Sequence, residues 1–164
     1  MADAETTAAA RALIELCKAR KLMVATAESC TGGLVAGALT DIAGSSAVVD
    51  RGFVTYTNEA KHQMLGVPTE TLQKFGAVSR DTAEAMVRGA LGHANADIAV
   101  SITGIAGPGG GSPEKPVGLV HFAAATRDGR LIHRERRFGD IGRAEVRRHS
   151  VLEALALLSE LAQG

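Results

Sequence analysis

Apolar residues along this chain follow two periods in turn. Ala9, Ala12, Leu13, Leu16 and Cys17 recur at i, i+3, i+4, i+7 and i+8, which predicts an opening helix with that stripe facing a core. The unbroken run Leu22-Met23-Val24-Ala25 predicts a buried strand. Leu34, Val35, Ala38 and Leu39 then return to helical spacing, and the second helix is expected to start between Ser29 and Thr31. Ala47 to Thr57, rich in Val, Phe, Thr and Tyr, predicts a second strand. Asn58 is placed to cap a short helix over Glu59 to Leu65 that stops at Gly66, and Pro68 opens a further turn.

Ser79 with Asp81 and Glu84 marks the start of a longer helix whose stripe is Ala83, Met86, Val87, Ala90 and Leu91. Asp97 to Ser101 reads as a buried strand. Val117 to Ala125 and Leu131 to Phe138 read as two more, joined through the turn pair Asp128-Gly129. Val151, Leu152, Leu155 and Leu158 line a closing helix. Helices and strands alternate through most of the chain and a hairpin follows. That order predicts an α/β fold, a three-layer α/β/α sandwich with a mixed, mostly parallel sheet, in which residues 1–164 form a single domain.

With 164 residues, 46% of them hydrophobic, the chain can bury one sizeable core but not two. Eighteen basic and eighteen acidic residues cancel, so no overall field draws the protein to nucleic acid or an anionic membrane. The absence of Trp, with a single Tyr and four Phe, leaves few stacking platforms for single-stranded nucleic acid. Met1 to Thr7 carries acidic residues and no basic flank, unlike a secretory signal, and no uncharged apolar run is long enough to span a bilayer. Cys17 and Cys30 are too few for a disulfide framework or a cysteine-rich zinc site. His62, His93, His121, His133 and His149 form no close metal-ligand pair. The expectation is a reduced, cytoplasmic protein with no metal and no cofactor.

Candidate chemistry concentrates in Ala27-Glu28-Ser29-Cys30-Thr31-Gly32-Gly33, where hydroxyl, thiol and carboxylate groups meet at a strand-to-helix junction. The first N–H groups of a helix lack intrahelical partners and favour an anion or a developing oxyanion. Ser29 or Thr31 equally suits a simple helix cap. Lys61 falls in the first turn after Asn58, where the helix dipole disfavours a further positive charge. A neutral lysine can act as general base for a hydroxyl nucleophile, as in Ser-Lys hydrolases, although a solvated surface lysine is the commoner fate. Tyr56 ends the strand leading there. Cys30 is an alternative nucleophile and His62 an alternative base. Ser112-Pro113-Glu114-Lys115 matches Ser-x-x-Lys, but Pro116 biases Lys115 away from a helix. The glycines of Gly104 to Ser112 allow a backbone nest for phosphate. The segment fits neither a Walker A loop nor GxGxxG, and a flexible connector has a similar composition.

Several segments together resemble one family: Thr26-Ala27-Glu28-Ser29-Cys30-Thr31-Gly32-Gly33, Gly52-Phe53-Val54-Thr55-Tyr56-Thr57-Asn58-Glu59-Ala60-Lys61, Gly76-Ala77-Val78-Ser79, Ser101-Ile102-Thr103-Gly104-Ile105-Ala106-Gly107-Pro108 and Lys115-Pro116-Val117-Gly118. They look like the nicotinamide-nucleotide amidases, the CinA C-terminal-domain family, in order and over nearly the whole chain. The resemblance implies hydrolysis of the carboxamide of nicotinamide mononucleotide to nicotinate mononucleotide and ammonia, without a metal. It implies Ser29 as nucleophile, Lys61 as general base and Tyr56 as a supporting hydrogen-bonder. Substrate would be held by Thr31, Gly32 and Gly33 and by the loop with Thr103, Gly104, Gly107, Gly109, Gly110 and Ser112. Glu28 would point away from Lys61 or contact substrate. Gly109 stands where relatives often carry Asp, and their Gly-Asp-Arg is interrupted here as Gly139-Asp140-Ile141-Gly142-Arg143, leaving open whether Arg143 or Arg147 meets the phosphate. A homo-oligomer is implied too. The pyrophosphatase chemistry of longer members, tied to an N-terminal domain this sequence does not contain, is not.

Overall fold

The computed structural model describes residues 2–164. Helix α1 (Ala4–Arg20) leads into β1 (Val24–Glu28), α2 (Leu34–Thr40), a short 3-10 turn and β2 (Val49–Val54). Then follow α3 (Asn58–Leu65), α4 (Thr69–Phe75), α5 (Arg80–Gly92), β3 (Ile98–Gly104), β4 (Leu119–Thr126), β5 (Leu131–Arg137) and α6 (Arg143–Gln163). The five strands lie in the order β2-β1-β3-β4-β5. Pairs β1/β2 and β1/β3 are parallel, while β3/β4 and β4/β5 are antiparallel, so four of the five strands run the same way. Helices α1, α2 and α6 cover one face and α3 to α5 the other, which is the three-layer α/β/α sandwich expected from the sequence.

The two faces of the sheet differ in side-chain size. Ile98, Val100, Ile102, Val120 and Phe122 point towards α1 and α6. Ala25, Ala27, Ala99, Ala123 and Ala125 face α5, whose helix therefore sits close enough for Ser101 Oγ to donate to the Ala83 carbonyl at 2.6 Å. The α5 stripe is buried as predicted, and Ser79 Oγ caps it by accepting from Thr82 N at 3.1 Å, an arrangement that stabilises a helix by about 1 kcal/mol.

Several boundaries differ from expectation. The buried face of α1 is Thr6, Ala10, Leu13, Ile14 and Cys17, with Ala12 exposed, because turning the helix slightly buries the large Ile14 instead of a methyl group. Strand β2 is shorter than Ala47 to Thr57, and β3 runs past Ser101 to take in Thr103 and Gly104. Thr57, not Asn58, caps α3: its Oγ1 accepts from Ala60 N at 3.0 Å. Helix α2 starts at Leu34 rather than at Ser29 to Thr31. Gly32 (φ +59°) and Gly33 (φ +103°) take left-handed backbone that no right-handed helix contains, so residues 29–33 form a turn ahead of it.

Candidate active site

The chain leaves β1 through α2 on one face to reach β2, and returns through α3 to α5 on the other face to β3. The strand order thus reverses beside β1, and a crevice opens at the carboxyl ends of β1 and β3, where open α/β sheets bind ligands. A cavity of about 260 Å³ occupies that crevice. Ser29 enters it from the end of β1, Tyr56 from the end of β2, Thr103 and Gly104 from β3, Lys61 from α3 and Arg143 from α6. A larger groove of about 450 Å³ between α1, α2 and the start of α6 contains neither Ser29 nor Lys61.

Lys61 is 1% exposed and its Nζ lies 2.9 Å from Ser29 Oγ. The same nitrogen donates to the main-chain carbonyls of Thr55 at 2.8 Å and Tyr56 at 3.3 Å. Three acceptors arranged in this way account for every proton of an ammonium. Once one proton is lost, the free lone pair is directed at the serine hydroxyl. Burial pushes the Lys61 pKa down to about 8, within reach of neutral pH. The dominant cause is thus desolvation rather than the helix dipole invoked from the sequence.

The rival groups lie elsewhere in the chemistry. Cys30 lines the cavity, but burial pushes its thiol up to about 12, so it stays protonated. His62 is turned away, its Nδ1 2.8 Å from the Val67 carbonyl. Ser112 accepts from Lys115 N, whereas Lys115 Nζ reaches the Phe75 carbonyl at 2.6 Å, so the Ser-x-x-Lys match forms no side-chain pair. Ser112 lines an open groove outside the cavity.

Glu28, a candidate substrate contact, is completely buried and committed to the protein. Its Oε1 accepts from Thr31 Oγ1 at 2.6 Å, Gly33 N at 3.2 Å and Val35 N at 2.9 Å, and its Oε2 accepts from Ala36 N at 3.0 Å. A carboxylate at the end of the strand therefore caps the following helix, where negative charge is favoured. Thr31 and Gly33 are consumed by this cap. Gly32 N donates to the Ser29 carbonyl, so neither glycine N–H is free for a substrate, and none of the three residues lines the cavity.

Thr103, Gly104, Gly107, Gly109 and Gly110 do line it, with Ile105 and Ala106 of the same loop and with Ala77 and Val78, which sequence reasoning missed. Thr103 Oγ1 donates to the Ala77 carbonyl at 2.8 Å. The two arginines separate cleanly. Arg143 lies at the cavity, donating to the Gly107 carbonyl at 2.8 Å and to Tyr56 Oη at 2.9 Å. Arg147, one turn on, instead donates to the carbonyls of Cys30 at 3.1 Å and Thr31 at 3.4 Å and does not line the cavity. Tyr56 is 59% exposed; its carbonyl, not its hydroxyl, contacts Lys61. Among the described residues no group of three or more His, Cys, Asp or Glu could hold a metal ion, and no helix is long and apolar enough to cross a membrane.

A three-layer α/β/α sandwich that buries a serine against a lysine at the ends of its parallel strands defines the class. The chain belongs to the CinA C-terminal domain family, whose model matches residues 6–162. It is 55% identical over 159 residues to the nicotinamide-nucleotide amidohydrolase PncC of Escherichia coli K12, covering 96% of this chain and 95% of that one. It is 58% identical over 121 residues to the PncC of Enterobacter agglomerans, covering 74% of each. The crystal structure of competence/damage inducible protein CihA from Agrobacterium tumefaciens superimposes with a TM-score of 0.97 at 61% identity, covering 98% of both chains. Longer relatives also match: this chain spans 33% of a CinA-like protein from Mycolicibacterium gilvum at 52% identity.

Proposed function

We propose that this protein is a nicotinamide-nucleotide amidohydrolase that uses Ser29 and Lys61, and the observation that carries the reading is the 2.9 Å approach of two buried side chains, Ser29 Oγ and Lys61 Nζ. The names of its PncC relatives supply the substrate, nicotinamide mononucleotide. Neutral Lys61 takes the Ser29 proton as Oγ bonds to the carboxamide carbon, giving a tetrahedral oxyanion. Its collapse breaks the C–N bond, and the leaving nitrogen departs as ammonia with the proton from Lys61. Water, deprotonated by the same lysine, then attacks the acyl-enzyme and releases nicotinate mononucleotide.

Arg143 is the one arginine of the cavity and the group suited to the substrate phosphate, with the Gly104–Gly110 backbone around it. Tyr56 Oη holds that guanidinium, so its role is to orient Arg143 rather than to move a proton. A homo-oligomer built from this single domain, acting in the cytoplasm, belongs to the same reading, and sedimentation equilibrium tests the assembly. The deciding experiment is incubation of the protein with nicotinamide mononucleotide, following ammonia and nicotinate mononucleotide, with Ser29→Ala alongside. Release by wild type alone is expected. Binding without release by either protein would point to a nucleotide-binding module that does no chemistry.

A further inference from the structure

The turn between β1 and α2 has an uneven account of its backbone groups. Ser29 N donates to the Ile102 carbonyl, Gly32 N to the Ser29 carbonyl and Gly33 N to Glu28 Oε1. The Cys30 carbonyl accepts from Arg147 Nε at 3.1 Å, and the Thr31 carbonyl accepts from Leu34 N at 3.0 Å and from Arg147 Nη2 at 3.4 Å. What remains is the N–H of Cys30 and the N–H of Thr31, neither of which finds an acceptor on another residue among those described. Cys30 is 6% exposed and Thr31 not at all. Buried N–H groups with no acceptor beyond their own side chain are rare in folded proteins, and Cys30 N–H, which meets only its own Sγ at the cavity wall beside Ser29, has a functional explanation.

A trans peptide directs its N–H opposite to its C=O. Arg147, by holding the Cys30 carbonyl, turns the Thr31 N–H away from itself. The Gly32-to-Ser29 hydrogen bond does the same for the Cys30 N–H. A side chain added at Gly32 would press on the same guanidinium, whose Nη2 would lie 3.1 Å from the new Cβ, so turn and arginine are fitted together. The structure assigns Arg147 the part of a positioning residue, which holds the turn by its Cys30 and Thr31 carbonyls so that the N–H of Cys30, the one residue of 30–33 that lines the cavity, forms the oxyanion hole. The substrate phosphate is left to Arg143. This deepens the amidase reading above and rests on it.

Arg147→Ala, Arg147→Lys and wild type are compared on nicotinamide mononucleotide and on nicotinamide riboside, which lacks the phosphate, with added methylguanidine as a rescue reagent. A displaced oxyanion donor lowers kcat by roughly 10- to 100-fold on both substrates, with KM changed by less than about threefold, and methylguanidine restores part of the loss to Arg147→Ala. Loss on the mononucleotide alone, through KM, would make Arg147 a phosphate ligand and overturn the proposal. A lower Tm with kcat intact would overturn it as well. If wild type hydrolyses neither compound, the amidase reading fails first, and Ser29 sulfonylation by phenylmethanesulfonyl fluoride decides the rest. Slower labelling of Arg147→Ala than of wild type, restored by methylguanidine, supports the assignment; equal rates end it.

Discussion

Gly89 of α5 lies directly beneath the carbonyl of Leu65 in α3, and a Cβ at position 89 would overlap that carbonyl. The two helices meet there with no side chain between them. Lys61 stands one turn before Leu65 on the same helix, so the depth at which α3 rests on α5 sets how far the lysine reaches towards Ser29. Gly89→Ala is expected to lift α3, lowering Tm by several degrees and kcat by at least about tenfold, since small misplacements of reacting groups are costly. Gly92→Ala, at the open end of the same helix with nothing within 4 Å of the added carbon, is the control and should leave both unchanged. Thermal melts and steady-state kinetics on the pair test the claim.

With Lys61 as the proposed base, its pKa of about 8 is expected to govern the pH profile. Below it, the free enzyme must lose one proton before Ser29 can be activated, so kcat/KM is expected to rise about tenfold per pH unit and to level off above about pH 8. A profile flat from pH 6 to 9 would rule out the lysine as base. The stability consequence has the same origin. Between about 8 and the ordinary lysine value of 10.5, the unfolded chain holds a proton that the folded chain has released, so stability gains with rising pH across that window. Denaturant titrations of Lys61→Met should lack that gain.

Glu28→Gln keeps the shape of the side chain but replaces one acceptor oxygen by a donor, and all four groups around the carboxylate donate to it. One donor is left facing another. The expected cost is about 1–3 kcal/mol in urea unfolding, together with lower kcat, because the same cap holds the turn bearing Ser29. An unchanged urea midpoint would show that the carboxylate does not cap α2.

Much of this architecture is legible in the sequence where the determinants are local. Helix α5 carries its cap at Ser79 and its stripe within one segment, and both are found as predicted. The start of α2 is misread because its cap is Glu28, reaching forward from a neighbouring strand to N–H groups five to eight residues on. Ser29 and Lys61 stand out by residue type and neighbouring motif although they lie 32 positions apart. Arg143 and Arg147 share a helix at one-turn spacing, so periodicity alone places them on one side. Only the tertiary packing sends the first to the cavity and the second to the turn carbonyls.

Thr26 Oγ1 is buried with no hydrogen-bond partner. Thr26→Val retains the shape and removes the unsatisfied hydroxyl, so stability should be equal or higher by about 1 kcal/mol, read from the urea midpoint. A loss larger than that would reveal a bond to this oxygen that the fold conceals.

Two of the three acceptors around Lys61 Nζ are main-chain carbonyls, those of Thr55 and Tyr56. Every amino acid supplies such an oxygen. The surroundings of the base are therefore inherited with the path of the chain between β2 and α3 and do not depend on which side chains occupy those two positions. A lineage can exchange Tyr56 to suit a different nucleotide while the lysine keeps its shell, so substrate preference and basicity can drift independently.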